Sequence, residues 1–211
     1  MNTNKRQILA DTARQLFHQH GFAAVSVDRI CREAAVSRPT FYKYFNGKSA
    51  IVQAVVVEQK NRVRAELEAV LAQCGTLESI ADTFWRLQRE SFAELYSAAF
   101  LRDMTDNTDL ALERFFSELN EEKHVFLHGF FHTLQQRGLI RPDIPAELVG
   151  LFVRHADILA EQAQTLPRYS AEPQRLPQDI LGLLLHGLAG EAVLLGKSVN
   201  GTLGGSLMLG W

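Results

Sequence analysis

The sequence predicts an all-α protein: a three-helix head of helix-turn-helix type followed by a larger helical body. Three observations predict it. Apolar residues recur three and four apart through most of the 211 residues, and no two-residue alternation lasts for a strand's length. The periodic runs are cut where helices stop, at Gly21, Asn46-Gly47, Gly75, "DNTD" (106–109), "GLIRPDIP" (138–145) and the proline-rich "LPRYSAEPQRLP" (166–177). Two serines, Ser26 and Ser37, stand directly before short runs as helix N-caps.

The first helix is "KRQILADTARQLFHQH", with Ile8 or Leu9, Thr12 or Ala13, and Leu16 or Phe17 at helical spacing and Gly21 as its stop. The second, "VDRICREAAV", follows Ser26 and repeats apolar residues at Val27, Ile30, Cys31 and Ala34. The third follows Ser37, and Pro39 is tolerated because first-turn amides have no helical partner. About three residues, Ala35 to Ser37, join the second helix to the third, which is helix-turn-helix connectivity. That third segment, "SRPTFYKYF", interleaves rings with cations. Phe41 and Phe45 are four apart and share one face, suited to a small core. Arg38, Thr40, Tyr42, Lys43 and Tyr44 lie off that face or at the helix start, as a helix entering a DNA major groove requires.

After Gly47 a long helix is expected from Lys48 to about Ala72, then helices near 77–94, 96–105, 109–136, 145–164 and 178–196. The most apolar run, "ILGLLLHGLAGEAVLLG" (180–196), is too short and too interrupted by His186, Glu191 and glycines to span a membrane, so it reads as a buried helix. The opening "MNTNKRQILADTARQ" has no apolar signal core, and Cys31 and Cys74 form no metal or redox pattern; a cytoplasmic protein is expected. Charge is uneven. Residues 1–50 hold eight of the 22 Lys/Arg and three of the 24 Asp/Glu, so a basic head sits on an acidic body in a chain of net −2. Only the head is suited to a polyanion.

Phe17, Gly21, Ser26-Val27, Ile30, Val36-Ser37, Phe41-Tyr42-Lys43-Tyr44-Phe45 and Lys48 together resemble the tetracycline-repressor-like (TetR/AcrR) family of bacterial transcription regulators. The resemblance covers about a quarter of the chain; the remainder matches only in length and helical character. Two positions depart from the pattern. Ala35 stands where glycine is common, at a cost of about 1 kcal/mol if that backbone is left-handed. Asp28 is an acid beside the expected DNA and receives no base contact. The resemblance implies a ligand-responsive regulator, commonly a repressor, not an enzyme. It implies a DNA-binding domain over 1–47, an effector-binding and dimerisation domain over 48–196, and leaves a glycine-rich tail at 197–211.

For DNA, Ser37, Arg38, Pro39, Thr40, Tyr42, Lys43, Tyr44 and Lys48 form the expected contact set. Arg38 suits guanine O6 and N7 with its fork, with a phosphate as the competing partner. Thr40 and Tyr42 offer hydroxyls to phosphate, a role the resemblance supports for Tyr42. Lys43 and Tyr44 reach base edges or backbone, and Tyr44 could equally cap the small domain. Lys48 holds a phosphate beside the next helix's amides. One such helix reads few base pairs, so a homodimer on a palindromic double-stranded operator is expected, joined through 145–164 and 178–196 as a four-helix bundle. An internal core within one subunit is the competing reading of those two helices.

Ten of the 19 aromatic residues fall between 84 and 131. As a set they suit either an ordinary helical core or an apolar pocket for a small effector, with Trp85, Phe92, Phe100, Met104, Phe116, His128 and Phe131 as the lining expected. No cofactor is expected. His124, His128 and His132, at i, i+4 and i+8, offer a competing metal-responsive reading with Glu121 or His155 as a further ligand, and more remotely a metal-dependent hydrolase. No nucleophile motif, phosphate loop or HExxH pattern supports an enzyme.

Overall fold

The computed structural model describes residues 3–73, 75–151, 166–168 and 179, which contain helix and no strand. Seven helices are complete among them: α1 (Thr3–His20), α2 (Val27–Glu33), α3 (Arg38–Tyr44), α4 (Lys48–Ala72), α5 (Leu77–Glu94), α6 (Ala98–Thr105) and α7 (Leu110–Gln136). A further helical stretch begins at residue 146. Of the helices expected for dimerisation, 152–164, 178 and 180–196 lie outside the described residues, as do the tail 197–211 and Cys74.

The helix ends follow from local chemistry. Ser26 Oγ accepts from the Arg29 amide at 3.2 Å and Ser37 Oγ from the Thr40 amide at 3.4 Å, each satisfying a first-turn donor. Between them α2 closes with the Ala35 amide on the Arg32 carbonyl (3.2 Å) and the Val36 amide on the Cys31 carbonyl (2.9 Å). This paired closure needs a left-handed residue, and Ala35 supplies it at φ 51°. Gly138, at φ 68°, ends α7 in the same manner.

The described residues form two compact units, one within 1–68 and 86–119, the other within 69–85 and 120–209. In the first, Leu9, Ala13, Leu16 and Phe17 of α1 meet Ile30 and Cys31 of α2, Phe41 of α3 and Phe45 just beyond it. That apolar core does not stop at residue 47. It continues through Ile51, Val52, Val55 and Val56 of α4 to Phe100 of α6 and to Leu112 and Leu119 of α7. Phe22, in the α1–α2 loop, meets Phe100 edge-on at 5.2 Å and Phe116 at 6.3 Å. The head expected over 1–47 therefore has no packing boundary at its end, whatever boundary function sets there.

Polar ties fix the same unit. Asp103 of α6 accepts the Ala23 amide at 2.7 Å, and its carboxylate occupies the space a Cβ on Gly21 would need. Gly21, at φ 76°, is thus required twice, by conformation and by close approach. Ser49 Oγ donates to Asp109 at 2.5 Å, and Asp109 also accepts from the Ala111 amide at the start of α7. Inside, Gln59 donates to Ser91 at 2.8 Å and accepts from Arg62, which pairs with Glu94 at 2.7 Å. The buried amide of Gln59 thus has partners on both sides.

In the second unit Leu127, Phe130, Phe131 and Leu134 of α7 are buried, together with Ile80, Ile140, Ala146 and Val149. Arg137 donates to the Leu71 carbonyl. No helix among the described residues is long and apolar enough to cross a membrane.

Candidate nucleic-acid interface

Helix α3 divides its residues between two environments. Phe41 is fully buried, Phe45 follows it into the core, and their rings lie 5.6 Å apart. The Arg6 guanidinium stands over the Phe45 ring at 5.4 Å. On the outer side Ser37, Arg38, Pro39, Tyr42 and Lys43 are exposed, while Thr40, Tyr44 and Lys48 are half-buried. Seven residues suffice for this division because Ser37 caps the helix and Pro39 fits its first turn.

Several of these groups are already engaged. Thr40 Oγ1 lies 2.9 Å from Ser37 Oγ, so that hydroxyl belongs partly to the cap. Tyr44 packs against the core cluster, as the capping alternative supposed. Lys48 Nζ donates to the Ala23 carbonyl at 3.0 Å. Ala23 is therefore held from both sides, its carbonyl by the start of α4 and its amide by Asp103. Arg38 Nη1 lies 3.0 Å from Asp28 Oδ1 and 3.4 Å from Oδ2. A hydrogen bond with Tyr42 and the Asp28 charge both favour the cationic guanidinium, raising its pKa.

Asp28 is the residue that sequence reasoning set aside. Its charge beside DNA speaks against a base contact, and nothing in the local pattern shows that it meets Arg38 instead. The available signal was topological: the first turn of α2 and the first turn of α3 approach one another in a helix-turn-helix, and 28 and 38 are first-turn positions.

The expected pocket residues are divided between the two compact units. Phe92, Met104 and Phe116 are half-buried against the core of the first unit, and Phe100 lies wholly within it. Phe131 is buried and His128 exposed in the second unit; the side chain of Trp85 is outside the described residues. Tyr96, one of the ten aromatic residues between 84 and 131, is not among the lining expected from the sequence. It is fully buried beside Phe100 at 5.5 Å, and its hydroxyl has no hydrogen-bond partner among the described residues. Burial pushes the phenol's pKa well above its ordinary range.

The histidine stripe does not share one environment. His124 is buried, whereas His128 and His132 are exposed, and His132 Nε2 lies 3.0 Å from Gln136 Nε2. Eight residues of helix separate the outer two histidines by roughly 12 Å, too far for one ion. Among the described residues no group of three His, Cys, Asp or Glu could hold a metal ion. His155 lies outside them.

Residues 9–55 match the sequence profile of bacterial regulatory proteins, tetR family. The HTH-type transcriptional regulator UidR of Escherichia coli K12 is 24% identical over 187 residues, 85% of this chain and 92% of UidR. An uncharacterized HTH-type transcriptional regulator of Bacillus subtilis, YdgC, is 29% identical over 202 residues, 87% of this chain and 92% of its own length. Among solved structures, SmeT, the repressor of the Stenotrophomonas maltophilia multidrug efflux pump SmeDEF, has the same fold. Its TM-score is 0.65 at 17% identity, covering 94% of this chain and 96% of SmeT. A SmeT–triclosan complex matches at 0.64 over 95% and 99%.

Proposed function

We propose, from its membership of the tetR family of bacterial regulatory proteins, that this chain represses transcription by binding a palindromic operator as a homodimer and releases it when a small apolar or aromatic effector binds. The family and the named relatives are transcriptional regulators, not enzymes. The observation that carries the DNA half is α3 itself: one face is sunk in the core, and the other offers a guanidinium, a phenol and an ammonium on a basic head.

In this reading residues 1–47 read DNA and 48–196 sense the effector and dimerise. Arg38 takes a guanine edge; Tyr42, Thr40 and Lys43 hold backbone or base edges; Ser37 and Pro39 set the helix start close to the groove. Tyr44 serves mainly to seat the helix, and Lys48 exchanges its bond to Ala23 for a phosphate. Two copies, joined through 145–164 and 178–196, present two such helices to successive major grooves. The protein works in the cytoplasm, where its DNA is.

The effector half is supported by the apolar cluster of Phe92, Phe100, Met104 and Phe116, and by the Tyr96 hydroxyl beside it, a buried donor that a polar group on an otherwise apolar ligand would satisfy. Trp85, His128 and Phe131 belong to the other compact unit and are not part of this proposed site. SmeT, which shares this fold, has been solved in complex with triclosan. Effector and DNA oppose one another through a coupling free energy, each weakening the other by the same factor.

Fluorescence anisotropy tests this directly, using the duplex upstream of the protein's own gene and a scrambled duplex across a salt series. Tight binding to the first over the second, lost in Arg38→Ala, is the expected result. Equal, salt-steep binding to both duplexes, or none at low salt, refutes a specific operator reader at that site.

A further inference from the structure

Asp28 is an acidic residue on the very face expected to meet a polyanion, and its position is otherwise unexplained. It is exposed, as is Arg38, with side-chain exposures of 60% and 59%. An ion pair this exposed adds little to stability, because water screens it and two long side chains must be ordered. Stability is therefore not its use. We propose that Asp28 is a positioning residue for DNA reading: it presents the Arg38 fork to a guanine edge and cancels its attraction for phosphate. This rests on the reading of α3 as a major-groove helix.

The geometry supports both halves. Both carboxylate distances, 3.0 and 3.4 Å, run to the same nitrogen, Nη1. Asp28 thus grips the fork at its Nη1 corner. The two residues lie on different helices, α2 and α3, whose junction is pinned by the paired closure at Ala35 and Val36. The Tyr42 hydroxyl, one turn along α3, steadies the guanidinium as well. A free arginine samples many rotamers, and ordering it at a base costs entropy. An arginine held beforehand loses less on binding, and only a base edge at the right place gains from its direction.

Charge supplies the second half. A bare arginine draws phosphates anywhere on DNA and releases counterions as it binds. Paired with a carboxylate, its net charge is near zero, so it adds little to binding that ignores sequence. Asp28 itself repels phosphate. The pair therefore gives up indiscriminate affinity for discrimination at one base pair.

The test enriches bound duplexes from a library with randomised positions, using the full-length protein and its Asp28→Asn, Arg38→Ala and double variants. Wild type should enrich a motif with a guanine in each half, and Arg38→Ala should erase that preference. Asp28→Asn should weaken the same guanine preference about tenfold while sparing the other positions. It should also bind scrambled duplex more tightly, with a salt slope steeper by about one per chain. The double variant should lose no more at that position than Arg38→Ala alone. An unchanged guanine preference in Asp28→Asn overturns the proposal, as does an even loss at all positions, which a merely structural role would produce. A wild type that enriches no motif overturns the DNA reading itself, and the proposal with it.

Discussion

Ala35 holds φ 51°, a backbone conformation in which its Cβ crowds the following carbonyl. A glycine there would relieve this, at the expense of a more flexible unfolded chain. Ala35→Gly should stabilise the protein by about 1 kcal/mol, seen as a melting temperature roughly 2–4 °C higher. The residue was legible because its turn is local: caps at Ser26 and Ser37 bound it, and the pattern around it expects glycine. Phe41 and Phe45 were legible for the same reason, since four-residue spacing puts them on one face. The Asp28–Arg38 pair was not. Two exposed side chains on separate helices leave no periodic trace, and only the closed turn brings them to 3.0 Å.

Helices were readable to within one or two residues at most ends, because their ends are set by neighbours in sequence. Asp109 shows what such an end also does at a distance. Its carboxylate caps α7 through the Ala111 amide at 2.8 Å and takes the Ser49 hydroxyl from the start of α4. The Ser49 hydroxyl first, and then the Ala111 amide, hold its pKa below the ordinary carboxylate value. A depressed carboxylate contributes stability that is present above its unfolded pKa and is lost as pH falls through the folded one. Because the carboxylate caps α7, Asp109→Ala should cost about 1 kcal/mol near neutrality. In paired melts the gap between variant and wild type should close as the pH is lowered below about 4. The serine partner was invisible in sequence, sixty positions away, where only the cap itself could be read.

Over the whole molecule, sequence periodicity could count helices but could not say which apolar faces meet. Periodicity carries no sign that Phe22 packs on Phe100 and Phe116. It gathered pocket candidates by density of rings, and these fall in both compact units. Beside that packing, one charge-assisted hydrogen bond from the Ala23 amide to Asp103 ties the α1–α2 loop to α6, seated over a glycine that leaves room for it. Asp103→Ala should leave helix content unchanged by circular dichroism. Hydrogen exchange at the Ala23 amide should rise about ten- to a hundredfold, the range expected for losing a bond to a charged acceptor. Unaltered exchange there would mean the loop is held by packing alone. The shared core also bears on how the protein is made. α1, α2 and α3 leave the ribosome first, but Phe100 and Leu119, which complete their apolar seat, are translated later. At about 5–20 residues per second, roughly 4–15 s separate Phe45 from Leu119. For that interval the first three helices lack part of their apolar seat, which makes them a natural substrate for a chaperone at the tunnel exit, and their core closes only after more than half of the chain has been synthesised.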